Sequence, residues 1–228
     1  FCHAVPNKWH LMGVMLSAAG SLRWFRDAIA EMEVHQAAEA GVDPYEILTK
    51  KASHVPPGSE GLIFLPYLTG ERTPYPNPNA RGVYFGLSLR HEKSHLVRAL
   101  LEGVAYGLRD SVELMKGLGI GIKAIRASGG GARSVLWLQI LANVFSKEIL
   151  RSSSDGGAAL GAAMIAGVGL GVFKDFNSAY TKTMGESKHI YPDQDQGLYD
   201  EFYQLYQSLY EPLKPLFDLD HHLVEKYL

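Results

Sequence analysis

Ser128-Gly129-Gly130-Gly131-Ala132-Arg133-Ser134 constrains this chain more than any other stretch. It joins a short apolar run over 123–128 to an amphipathic run that ends at Phe145. Glycine lacks a Cβ, so the backbone turns sharply here and a ligand can approach the main chain. The helix that follows starts with unpaired N–H groups and a partial positive charge. That combination suits a phosphate, or the ribose and base edge of a nucleotide. The same residues also serve as a tight βα turn packed against a sheet, and spacing alone leaves both readings open. Ser134 is placed to cap the helix or to donate a hydrogen bond. No Gly-Lys-Ser or Gly-Lys-Thr follows, so this is not a Walker A loop, and G-x-G-x-x-G does not fit cleanly.

The turn is part of a repeated alternation. A strand over 123–128, a helix over 134–145, a strand over 148–151 and a small-residue helix over 158–167 predict parallel strands joined by a right-handed crossover. The class is therefore α/β. The chain has 228 residues, 46% of them hydrophobic and 20% charged, an ordinary balance for a globular fold. A net charge of −2 advertises no affinity for nucleic acid or an anionic membrane. No run approaches the ~18 apolar residues of a membrane span. The single cysteine, Cys2, excludes an internal disulfide framework and a multi-cysteine metal site, and it fits a reducing, cytoplasmic compartment. Position 1 is Phe, and 1–10 lacks the basic and apolar regions of a signal peptide. The simplest expectation is that the chain starts inside a longer protein.

Upstream, the apolar run 9–17 predicts a strand. Ser17 is a candidate cap for a helix from Ala18 to about Glu33, where Leu22, Phe25, Ile29 and Met32 recur at helical spacing. Gly41 ends a second helix, and Asp43 with Pro44 starts a third over 45–51. A loop over 55–60 precedes a buried strand over 61–68. The run 69–81 holds Pro74, Pro76 and Pro78 and excludes a regular element. A strand over 82–89 and a long amphipathic helix over 93–118 follow. The Tyr-rich tail, 196–227, reads as helix.

Other candidate sites read as structure first. Gly117, Gly119 and Gly121 look like a helix cap and turn, as do Gly167, Gly169 and Gly171. The small residues from Asp155 to Ala163 favour close helix packing over ligand contact. Arg72, after Gly70 and Glu71, is expected to fix its loop by pairing with a carboxylate rather than to meet phosphate. His3 and His10 read as packed polar residues, and His221 and His222 as solvated. The histidines show no metal spacing.

Three stretches carry a resemblance: 1–24, then 64–87 with its GERTPYPNPNARGVYFGL core, then ASGGGARS and GAALGAA. Together they resemble the C-terminal domain of the FGGY carbohydrate kinases. His95, Leu96 and the run Ala99 to Glu102 continue the family's C-terminal signature, with Leu100 bulkier than that signature. The resemblance implies an α/β domain of actin-like ATPase, ribonuclease-H-like type: a mixed sheet flanked by helices, beside a cleft. It implies ATP-dependent phosphorylation of a sugar hydroxyl, with Mg²⁺. Carried over, Gly129, Gly130 and Gly131 lie along the adenosine, Ser134 stands where many relatives place Asn, and Ala19 and Arg23 lie near the nucleotide. The catalytic Asp and the sugar-binding residues belong to an N-terminal domain upstream of Phe1, so no catalytic or metal-binding residue is assigned here. The implied partners are ATP or ADP, and a sugar held by that other domain. A face uncovered by a missing neighbour promotes self-association, so a homodimer stands among the expected assemblies. A half-protein that binds nucleotide or a partner without catalysis is the alternative of another class.

Overall fold

The computed structural model describes residues 1–152, 157–185 and 187–227. Three helices come first: α1 (Ala18–Ala28), α2 (Glu31–Ala40) and α3 (Pro44–Ala52). Strands β1 (Ile63–Leu65) and β2 (Val83–Phe85) pair antiparallel and lead to the long helix α4 (Lys93–Gly117). Then come β3 (Ile125–Ala127), α5 (Val135–Phe145), β4 (Ile149–Ser152), α6 (Gly157–Gly169), α7 (Phe176–Thr183) and β5 (Ser187–Ile190). A last helix, α8 (Gln196–Tyr227), closes the described chain. β4 pairs parallel with β3 and antiparallel with β5, giving the mixed sheet of an α/β domain.

α4 is the central post. Val97 through Ala105 are buried without a break, because β1 and the helices α3 and α5 all pack on it. Gly103 permits the closest of these contacts: a Cβ there would overlap the Phe64 carbonyl of β1. α8 lays Tyr199, Tyr203, Tyr206, Tyr210 and Phe217 against this core at helical spacing. Each of those tyrosines buries its ring, and its hydroxyl finds a polar partner. The Tyr199 hydroxyl accepts from Arg98 (2.6 Å) and donates to Glu102 (2.9 Å). Ser59 Oγ and the Gly58 N–H also donate to Glu102, so a buried ion pair has its hydrogen bonds met. The Tyr203 hydroxyl donates to Asp110 (2.6 Å), Tyr206 pairs with Tyr67 (3.1 Å), and Asn77 donates to Tyr210 (3.0 Å).

Several expectations need correction. The run 9–17 is not a strand. Its backbone donors go to side chains instead: Val14 N–H to Thr73 Oγ1 (3.2 Å) and Leu16 N–H to Glu71 Oε1 (3.1 Å). The expected helix 18–33 breaks at Ile29 and Ala30, leaving Ile29 and Met32 exposed. The break turns the chain so that buried Glu33 meets Lys51 (2.8 Å) and Lys93 (2.9 Å). Burial alone would raise the Glu33 pKa, but the two ammonium groups outweigh it and hold the carboxylate below its usual range. His3 and His10 are exposed on a terminal loop rather than packed, with His10 stacked on Phe1. Arg72 is exposed and makes no ion pair among the described residues; the loop is held by Glu71 instead. Of the small-residue run, Asp155 and Gly156 lie outside the described residues. The remainder forms α6, where no residue is buried and a Cβ on Gly161 would meet nothing within 4 Å, so the expected close packing is absent there.

Candidate functional site

The candidate turn begins where β3 stops. Gly129 has φ +79°, a conformation that side chains on L-residues rarely adopt. One short 3-10 turn, Gly130–Arg133, then leads into α5. Ala132 is the buried anchor of the turn, with its N–H on the Gly129 carbonyl (3.1 Å). Gly129, Gly130 and Gly131 face outward, and a Cβ on Gly129 or Gly130 would meet nothing within 4 Å. The N–H groups of Gly130 and Gly131 have no acceptor among the described residues. Gly131 is closer packed, since a Cβ there would come 3.3 Å from Trp137 Nε1. Ser134 caps α5: its Oγ accepts from the Trp137 N–H at 3.2 Å. The result is an open, glycine-surfaced step at the N-terminus of an 11-residue helix, which suits an uncharged ribose edge or an anion.

Ala19 and Arg23 sit one turn apart on α1, both exposed. No hydrogen bond, ion pair or ring contact joins them to the glycine turn among the described residues. Their helix is placed by the proline-rich loop. Ser17 occupies the N-cap of α1 but makes no cap bond; its Oγ pairs with Thr69 Oγ1 (2.8 Å). Glu71 and Thr73 hold the chain just before it. The structure thus brings Gly129, Gly130, Gly131 and Ser134 together in one turn and places Ala19 and Arg23 on a separate helix.

Sequence reasoning missed the buried carboxylates. Glu71 is buried, its Oε2 has no hydrogen-bond partner among the described residues, and burial raises its pKa above the usual carboxylate range. Asp110 is also buried, and burial pushes it up to about 6 against the hydrogen bonds from Tyr203 and Gln207. The signal was present for Glu71, beside a proline-rich loop, but Asp110 looked like any polar residue on a helix. A separate cleft of about 340 Å³ is lined by Pro56, Arg98, Gln139, Asn143 and Asp193 among others, and by none of the candidate residues. Its polar walls are already partnered: Arg98 by Glu102 and Tyr199, Asn143 by Asp193. No group of three or more His, Cys, Asp or Glu fit to hold a metal occurs among the described residues.

Residues 1–170 match the profile of the FGGY family of carbohydrate kinases, C-terminal domain, and the chain belongs to that family. A xylulose kinase from Escherichia coli is 38% identical over 95% of this chain and 43% of its own length. A gluconokinase from Bacillus subtilis is 39% identical over 86% of this chain and 38% of its own length. The chain therefore spans about two fifths of the length of these curated relatives. The crystal structure of a xylulose kinase from Rhodospirillum rubrum superposes with a TM-score of 0.75 at 33% identity, over 90% of this chain and 40% of that one. No described helix is long and apolar enough to cross a membrane.

Proposed function

We propose that this chain is the nucleotide-binding part of a cytoplasmic, ATP-dependent sugar kinase, and that the whole protein phosphorylates D-xylulose to D-xylulose 5-phosphate. The observation that carries this reading is the glycine turn at the start of α5, with outward-facing Gly129 and Gly130 and with Gly130 and Gly131 N–H groups that have no acceptor among the described residues. Family membership supplies the reaction class. Gly129, Gly130 and Gly131 would lie along the adenosine of ATP or ADP, with Ser134 fixing the helix that presents them. Ala19 and Arg23 on α1 form the second element of the nucleotide site. Bound ATP supplies the phosphoryl group. This chain's share is to hold and orient the nucleotide so that a sugar hydroxyl meets it in line. The described residues do not fit a Mg²⁺ site by themselves, since they offer no carboxylate cluster. The proton-accepting base and the sugar pocket are assigned to an N-terminal domain outside this chain.

A second sugar has its own support. The Bacillus subtilis gluconokinase is as similar to this chain as the xylulose kinases are, which keeps D-gluconate as the competing acceptor. An ADP-release assay on the intact protein separates the two. The expected result is a higher kcat/KM for D-xylulose than for D-gluconate, glycerol or other pentuloses. Preference for gluconate, or nucleotide binding with no sugar-dependent turnover, would overturn the substrate assignment. The 228-residue chain alone is expected to give no turnover, since loss of the base costs about 10²–10⁴-fold by itself.

A further inference from the structure

We propose that Glu71 is a positioning residue of the nucleotide site: its buried carboxylate fixes where α1 starts and, through α1, where Ala19 and Arg23 stand. The inference rests on the reading of α1 as the second element of that site. α1 does not fix its own start. Ser17 stands at its N-cap and makes no cap bond, and no acidic residue lies in its first turn. A helix begun in this way takes its position from the chain that leads into it. That chain, 13–17, is held from two sides. On one side is α4, where a Cβ on Gly107 would overlap the Met15 side chain and a Cβ on Gly13 would overlap the Ser111 side chain. These contacts seat the segment on the helix and leave its N–H groups to the other side.

The other side is the loop 69–77. Thr73 Oγ1 accepts from the Val14 N–H (3.2 Å), Glu71 Oε1 accepts from the Leu16 N–H (3.1 Å), and Ser17 Oγ pairs with Thr69 Oγ1 (2.8 Å). The pairing runs antiparallel, 14 with 73, 16 with 71 and 17 with 69, so a slip of one residue along the segment would break all three bonds. Glu71 is the middle rung and the charged one, and a carboxylate accepting from a backbone N–H makes the stronger kind of hydrogen bond. The same oxygen accepts from the Arg72 N–H (2.7 Å). The Glu71 backbone is fixed in turn, its N–H and C=O both paired with Asn77 (2.9 and 3.0 Å). Asn77 donates to the Tyr210 hydroxyl of α8 (3.0 Å), and Tyr75 stacks on the Tyr210 ring at 3.6 Å. The core of the domain thus reaches the start of α1 through Glu71. Burying a carboxylate whose Oε2 has no partner among the described residues costs stability. What Glu71 provides against that cost is the hold on Leu16.

The test is calorimetric titration of the intact protein and its variants with ADP, each alongside a ligand-free thermal melt. Glu71→Ala is expected to raise the Kd for ADP about ten-fold or more. Glu71→Gln keeps an acceptor for Leu16 and is expected to stay within about three-fold of the parent. Thr73→Val removes the neighbouring acceptor, the one that Val14 uses, and is expected to weaken ADP in the same direction; it decides the matter if Glu71→Ala does not fold. Tyr199→Phe lowers stability elsewhere, by taking a hydroxyl from Arg98 and Glu102, and is expected to leave ADP affinity at the parent value. Parent-like affinity in Thr73→Val and in any folded Glu71→Ala overturns the proposal. So does a loss in Tyr199→Phe that matches theirs, since ADP affinity would then follow stability alone. Arg23→Ala separates this failure from a failure of the site. If Arg23→Ala binds ADP less tightly while the Glu71 and Thr73 variants bind as the parent does, the site stands and the positioning role falls. If all of them bind as the parent does, the nucleotide does not use α1 and both fall.

Discussion

Asp110 carries a charge where the surrounding side chains leave it half served. Oδ1 accepts from Tyr203 (2.6 Å) and distantly from Gln207 (3.4 Å), while Oδ2 is buried with no partner among the described residues. Burial, with the nearby Glu71 carboxylate adding to it, raises the pKa from an ordinary aspartate to about 6. Between about pH 4 and pH 6 the folded chain therefore holds a proton that the unfolded chain has released. Stability from this residue is fully present below pH 4 and falls as pH rises through 6. Asp110→Asn keeps an acceptor for Tyr203 and removes the buried charge. The variant is expected to be more stable than the parent at pH 7.5 by on the order of 1–3 kcal/mol, with the gap closing near pH 4.5. Denaturant melts at the two pH values check it; a variant less stable at both would show that the charge is needed. Gly129 and Gly130 illustrate the same scale. They read alike in the sequence, yet only Gly129 has a positive φ, so only there is a side chain strained by the backbone itself.

At the scale of elements, α5 depends on its cap. Ser134 Oγ meets the Trp137 N–H, one of the donors a helix start leaves without a partner. Ser134→Ala is expected to cost about 1 kcal/mol, or roughly 2–4 °C in Tm for a chain of this size. Thermal melts measure it, and an unchanged Tm would mean the cap adds nothing. Elements with strong periodicity were legible from sequence. α4 and α8 match their expected bounds within one residue, because long amphipathic patterns overdetermine a helix. Asp43 caps α3 through the Tyr45 N–H as its Asp-Pro start implied. Gly41 ends α2 in a left-handed conformation, and Gly119 and Gly171 close turns as read. α7 and β5 were missed: β5 spans Ser187–Ile190 and reads as polar, and it exists because β4 offers an edge to pair with. The run 9–17 failed in the opposite way. It is apolar enough for a strand, but side chains of a distant loop took its backbone donors.

At the scale of the molecule, sequence motifs located the turn and did not assemble the site. Gly129 to Ser134 form one local unit, so contiguous residues were enough to find it. Ala19 and Arg23 reach the nucleotide site, in the proposed function, through α1, whose placement rests on Glu71, Thr69 and Thr73 some fifty residues away. Long-range anchoring of that kind has no periodic signature. The exposed leucines of α8 were hidden for another reason, since they look like core until the tyrosines occupy the inner face. The central claim is that the turn before α5 holds the nucleotide, and Gly130→Val tests it most directly. Gly130 has open space around it and no positive φ, so the valine is expected to leave folding intact, which a thermal melt confirms. Calorimetric titration of the intact protein with ADP is the measurement. The expected result is a loss on the order of 1–3 kcal/mol, roughly ten- to a hundred-fold in Kd, with sugar affinity nearly unchanged. A folded Gly130→Val variant that binds ADP as tightly as the parent would contradict it and leave the turn a purely structural link between β3 and α5.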